Sequence, residues 1–151
     1  MSDRIPQTNL ARADRVPANC MGWHIRRASR ILTQIYDTAL RPVGLVLNQF
    51  TLLVAIHLVK SVSVTCLAKE LFVDQTTLTR NLKILEKRGL VLIEPGSDRR
   101  VKLVSLTDEG RTALDRALPL WEKAQAEASE KFGQQKWQAL LSLLSDLKTL
   151  G

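Results

Sequence analysis

Apolar residues recur with a helical period along most of the chain. Between about Ala18 and Leu40, Ala28, Ile31, Leu32, Ile35, Tyr36 and Ala39 fall on one face, opposite Arg26, Arg27, Arg30, Gln34 and Asp37. That spacing predicts an amphipathic helix, capped by Asn19 and ended by Pro42 and Gly44. A second helix is predicted from Asn48 as N-cap to about Lys60. Phe50, Leu53, Val54, His57 and Leu58 share one face, and Leu52, Ile56 and Val59 make it apolar nearly all round. Such a helix belongs in the centre of a core, with His57 as a polar member of a mostly buried element. A short third segment, 63–72, carries Leu67, Ala68 and Leu71 as a narrow stripe, with Ser63 or Thr65 as cap. Asp74 then caps a helix from Gln75 to about Arg88 that turns Leu78, Leu82 and Leu85 inward and stops at Gly89.

The period changes after Gly89. The runs 90–94 and 101–106 are rich in β-branched residues and flank Pro95-Gly-Ser-Asp-Arg-Arg100, which predicts a hairpin with a basic tip. Thr107 is placed to cap a long helix whose first turn holds Asp108 and Glu109. Pro119 is expected to kink or break that helix near Leu118. After Gly133 a last amphipathic helix carries Trp137, Leu140, Leu141, Leu144 and Leu147. Residues 1–18 show no sustained period and read as a flexible N-terminal arm that orders only on docking. The predicted class is mainly α with a small β-hairpin wing.

Composition narrows the classes. With 151 residues, 45% of them hydrophobic and 25% charged, the chain has the make-up of a folded domain and not of a disordered one. Its longest apolar stretch, Phe50 to Val59, is half of the about 20 residues that span a bilayer, and 1–19 has no apolar leader core, so no membrane partner and a cytoplasmic location are expected. Cys20 and Cys66 are too few for a disulfide framework and, with His24 and His57, show no metal-ligand spacing, so neither a metal nor a cofactor is expected. No phosphate loop, nucleophile elbow or zinc-protease motif suggests an enzyme.

The charge is 22 Lys and Arg against 15 Asp and Glu, a net +7, and it is concentrated. Between Arg80 and Lys102, seven cations face three carboxylates, a net +4. On the 75–88 helix, Thr76, Thr79, Arg80, Lys83 and Lys87 form an outward stripe opposite the leucines. Two short helices followed by a basic hairpin make a winged helix-turn-helix pattern, in which a helix with short polar and cationic residues enters a DNA major groove. Candidate contacts on that helix are Gln75, Thr76, Thr77, Thr79, Arg80 and Lys83. At the helix start, hydroxyls, N–H groups and dipole can together meet phosphate or base edges. Thr65 on the preceding helix and Ser97, Arg99 and Arg100 at the hairpin tip complete the set, with Asp98 orienting an arginine of the wing. A solvated charged helix with a polar turn accounts for each piece separately, and a winged-helix protein-interaction module is the rival function.

The run Thr76-Thr-Leu-Thr-Arg-Asn-Leu-Lys-Ile-Leu-Glu-Lys-Arg-Gly-Leu90, with the wing Asp98-Arg-Arg and the following Leu106-Thr-Asp-Glu-Gly110, resembles the MarR family of bacterial transcriptional regulators. The resemblance runs from about Cys20 to Leu150. It implies a homodimer on a pseudo-palindromic operator in double-stranded DNA. Residues 19–45 and 108–150 would form the helical dimerisation domain, and 48–107 the winged DNA-binding lobe. It also implies repression relieved by a small phenolic or aromatic carboxylate effector or by an oxidant. The large apolar faces at both ends of the chain favour dimerisation independently, although they could also fold back on the same lobe.

Two sensor sites are candidates. Cys20, His24, Ala28, Ile31 and Ile35 fall on one stripe, and Cys20 lies early in its helix, as a reactive cysteine does in the peroxide-sensing branch of the family. It stands two residues earlier than in that branch, and Arg26 replaces an expected tyrosine, so a packed bystander thiol is the other reading. Cys66 is expected to be packed. Trp23, Arg27, Tyr36 and Trp121, with Phe50 and Leu53, are candidate liners of an effector crevice, the last two also being plain core residues.

Overall fold

The computed structural model describes residues 9–150. The chain divides after Ile35 into two compact units. In the first, a 3₁₀ turn over Asn9–Arg15 leads into α1 (Val16–Asn19) and, after a break at Cys20, into α2 (Met21–Leu40). The expected arm is therefore helical over its described part, and residues 1–8 lie outside the described residues. Asn19 does not cap the long helix. It closes α1, its side-chain amide donating to the Arg15 carbonyl at 2.9 Å. The cap of α2 is Cys20, extended at φ −88° and ψ 111°, whose Sγ accepts from the Trp23 N–H at 3.4 Å. Every side chain from Met21 to Ile31 is exposed, because no element described with this unit covers them.

The second unit begins at Tyr36 and holds α3 (Leu47–Val59), β1 (Ser61–Ser63), α4 (Val64–Glu70), α5 (Gln75–Lys87), β2 (Val91–Pro95), β3 (Lys102–Leu106), α6 (Asp108–Phe132) and α7 (Gln134–Asp146). The predicted cap Asn48 is displaced by Val46. The N–H of Leu47, the first residue of the helix, is met from afar, the Asp37 carboxylate on α2 accepting from it at 2.7 Å. Up to Ile56 α3 is central, as its apolar pattern requires, with Leu53 and Ile56 fully buried and Phe50 and Leu52 nearly so, but Leu58 and Val59, expected to be covered as well, are exposed where the last turn leaves the core. His57 lies in the same exposed last turn of α3.

Three strands form an antiparallel sheet in the order β1-β3-β2. The hairpin pairs Val91 with Leu106 and Pro95 with Lys102, as its alternation predicts. The short β1, unannounced in the sequence, pairs Val62 with Val104 and covers the other edge of β3. Ser63 then caps α4, its hydroxyl accepting from the Cys66 N–H at 3.1 Å. Leu67, Leu78, Leu82, Leu85 and Val104 meet Leu53 and Ile56 in one core, which fixes the inner face of α5 and turns its other face out.

The C-terminus of α5 is joined to the start of α6 by a knot of contacts. The Thr107 hydroxyl accepts from the Gly110 N–H at 2.9 Å and donates to the Gly89 carbonyl at 2.6 Å. Gly110 sits on the Leu90 backbone so closely that a Cβ would overlap the Leu90 carbonyl. Helix α6 continues through Pro119 without the expected break. Among the described residues, no single helix is long and apolar enough to cross a membrane.

Candidate nucleic-acid interface

The outer face of α5 follows the sequence. Gln75, Thr76, Arg80, Lys83 and Lys87 are exposed and Thr79 half-buried, while Leu78, Leu82 and Leu85 are buried behind them. Asp74 organises the start of the helix. Its two carboxylate oxygens accept from the Thr76 N–H at 3.2 Å and the Thr77 N–H at 2.8 Å, and the Thr77 hydroxyl donates to the second at 2.5 Å. These bonds, the Thr77 hydroxyl first, hold the Asp74 carboxyl below the usual carboxylate range. They also change the expected roles: Thr77 is spent on the cap, and two of the N–H groups expected to be available for an anion are already satisfied.

Between α5 and the hairpin lies a cleft of about 410 Å³, lined among others by Thr65, Gln75, Thr79, Lys83, Arg99 and Arg100. The fold thus gathers residues from three separate segments, as the winged pattern requires. Glu86, Glu94 and Lys102 also line it, and none of the three was singled out as a site residue from sequence. Lys102 was visible as part of the basic run; the two glutamates carried no signal. A second concavity over Gln75, Thr76, Thr79, Arg80 and Lys83 continues along the helix.

At the tip of the wing, Asp98 accepts from the Arg100 N–H at 3.0 Å, and the Val101 N–H closes on the Asp98 carbonyl at 2.9 Å. Its carboxylate approaches the Arg100 Nε at only 3.7 Å, with both side chains largely exposed. An exposed pair of that length contributes little, so Asp98 fixes the turn more than the guanidinium. Ser97 and Arg99 are exposed beside it. Arg80, Lys83 and Arg99 have no carboxylate within ion-pair distance among the described residues, and the outer face keeps its positive charge.

The sensor candidates are distributed over both units. Trp23, His24 and Arg27 are exposed on α2, and Cys20 is half-buried at its cap. In the second unit Tyr36 is buried and its hydroxyl bonds the Gln125 side chain on α6; burial pushes the phenol above its usual range. Trp121 stacks on Phe50 with ring centroids 6.0 Å apart. Cys66 is exposed and not packed, because the stripe of α4 that faces the core is Val64, Leu67 and Ala68. No three His, Cys, Asp or Glu side chains cluster as metal ligands among the described residues.

The MarR family model matches residues 43–101, from the α2–α3 connection to the tip of the wing. Over 87% of this chain and 98% of its own, the M. tuberculosis transcriptional regulator MosR, in a structure with DNA, is 39% identical with a TM-score of 0.76. The chain belongs to the MarR family. Other structures of this fold include the transcriptional repressor CouR bound to a 23-mer DNA duplex, 28% identical over 88% of this chain and 95% of that one, with a TM-score of 0.80. A variant of MarR from E. coli complexed with operator DNA shares the fold at 24% identity, covering 88% and 96% with a TM-score of 0.79. MarR-family membership places the chain among DNA-binding transcriptional regulators and outside the enzymes.

Proposed function

We propose that the chain is a homodimeric repressor that reads a pseudo-palindromic operator through α5 and the wing. The observation that carries this reading is the run of cations along α5 and the wing: Lys83, Arg99 and Arg100 line the cleft together with Glu86 and Glu94, Arg80 and Lys83 line the adjoining concavity, and Arg80, Lys83 and Arg99 have no carboxylate within ion-pair distance among the described residues. In it Gln75, Thr76, Thr79 and Arg80 address base edges, Lys83 and Thr65 address phosphates, and the wing arginines enter the flanking minor groove or clamp its phosphates. Thr77 and Asp98 hold the two reading elements in shape. Residues 48–107 form the DNA-binding lobe, and 19–45 with 108–150 dimerise. Ile31 and Ile35 on α2 and Leu141, Leu143 and Leu144 on α7, all exposed in the single chain, support that division, since apolar side chains at such spacing call for a covering surface.

The repressor is released by a small aromatic effector or by oxidation of Cys20. Cys20 supports the second route: its sulfur caps α2, and oxygenation would change the acceptor at the Trp23 N–H. The test begins with genomic fragments retained by the protein and then footprinted. Arg80→Ala and Arg100→Ala are each expected to weaken binding at least tenfold and to lower the salt slope by about one, with the dimer intact by sedimentation. Normal binding by both would refute the assignment, and oxidant-driven release persisting in Cys20→Ser would remove that thiol from the mechanism.

A further inference from the structure

Helix α4 stops in an unusual way. The Phe72 N–H bonds the Lys69 carbonyl at 3.1 Å and the Val73 N–H bonds the Ala68 carbonyl at 3.0 Å, the paired bonds of a helix terminated by a left-handed residue. That residue is Phe72, at φ 51°. Glycine is the ordinary occupant, because a side chain there crowds the following carbonyl. The same pair of bonds ends α5, and there the residue is Gly89, at φ 69°.

Burial does not account for the aromatic ring, which is 66% exposed. Nor is Phe72 an isolated surface residue. It lies in a shallow concavity with Thr65, Ala68, Lys69, Val73 and Gln75. Thr65 and Gln75 also line the cleft between α5 and the wing, and Gln75 lines the concavity over Arg80 as well. The three surfaces therefore meet at Gln75, and the apolar patch is continuous with the DNA-facing side. Lys69, exposed in the same concavity, supplies a cation beside the ring.

We infer that Phe72 is a DNA-contacting residue, its ring packing on apolar surface of the duplex next to the groove occupied by α5, with Lys69 on a neighbouring phosphate. This rests on the assignment of α5 and the wing to DNA. The apolar surface is either a thymine C5-methyl or a deoxyribose face, and both offer carbon to an aromatic ring without a hydrogen-bond code. The ring lies outside the core and about two-thirds of it is exposed, so most of its apolar surface is available to the duplex.

The position makes the test clean, because Phe72→Gly removes the ring and relieves the backbone together. The full-length protein and this variant are compared on a duplex selected by the wild type from random sequence. Phe72→Gly is expected to melt at higher temperature yet bind on the order of tenfold more weakly, with an unchanged salt slope, as loss of apolar contact releases no counterions. Phe72→Leu should recover most of the affinity. Replacing thymine by uracil at protected positions separates the two sources. If the methyl is the partner, the wild type weakens and Phe72→Gly does not weaken further; if the sugar is, neither changes. Wild-type affinity of Phe72→Gly on every selected duplex, while Arg80→Ala loses binding, would overturn the inference and leave the interface standing. Unchanged binding by Arg80→Ala as well would overturn both.

Discussion

The turns at the two ends of α5 use one backbone solution with opposite residues. At its C-terminus Gly89 takes the left-handed conformation, and Leu90 runs directly into the core and under Gly110. At its N-terminus the turn from α4 is made by Phe72, with an exposed ring and with Asp74 capping α5 two residues later. The first turn is shaped by what must pack around it and the second by what it presents. Similar φ values therefore carry different information: a glycine in the left-handed region reports geometry, whereas a phenylalanine there reports a use for its side chain.

The largest effect should come from the packed turn. Gly110→Ala drives a methyl into the Leu90 carbonyl and is expected to destabilise by roughly 3 kcal/mol, read from urea unfolding midpoints, or to prevent folding. Gly89→Ala meets no atom within 4 Å, so it isolates the conformational term and should cost about 1 kcal/mol. The converse change, Phe72→Gly, should raise stability by about 0.5–1 kcal/mol in the same assay, the relief of strain being partly offset by the greater freedom of an unfolded glycine. A loss of stability there would mean that the ring is packed in solution and that the two turns are alike.

The smallest effect is a pH dependence. The Asp74 carboxyl is held below its usual range in the folded chain, so the unfolded chain takes up a proton first as pH falls. Its contribution is present above the unfolded pKa, near 4, and lost as pH drops through the folded value. Asp74→Asn should flatten the acid limb of the stability curve below about pH 5, a change visible in thermal melts. An identical acid limb in both proteins would place the coupling elsewhere.

Much of the lobe was readable because its determinants are local. Asp74, the leucine stripe of α5, Gly89, Thr107 and the hairpin alternation are signals within a few residues of the structure they set. What escaped is non-local. Helix α3 starts one residue before Asn48, with Val46 at the cap position, and its Leu47 N–H is met by Asp37, ten residues earlier, a partner that no local pattern announces. Strand β1 has three residues, Ser61–Ser63, and exists because β3 offers an edge. Cys66 and His57 were assigned inside from apolar neighbours, but Cys66 lies on the outer side of α4 and His57 in the last turn of α3, which leaves the core together with Leu58. In the site, the basic stripe was legible, while the use of Thr77 by Asp74 depended on geometry. Phe72 read simply as the apolar end of a short helix, since its backbone angle has no sequence signature.

The Thr107 knot has a mechanical consequence. One hydroxyl grips the Gly89 carbonyl just past α5 and the Gly110 N–H in the first turn of α6, and Gly110 rests on the Leu90 backbone between them. The two helices are pinned at this end: a roll of α5 or a tilt of α6 there would have to break the Thr107 bridge or lift Gly110 off Leu90. Thr107→Val keeps the shape of the side chain but strips out the clutch.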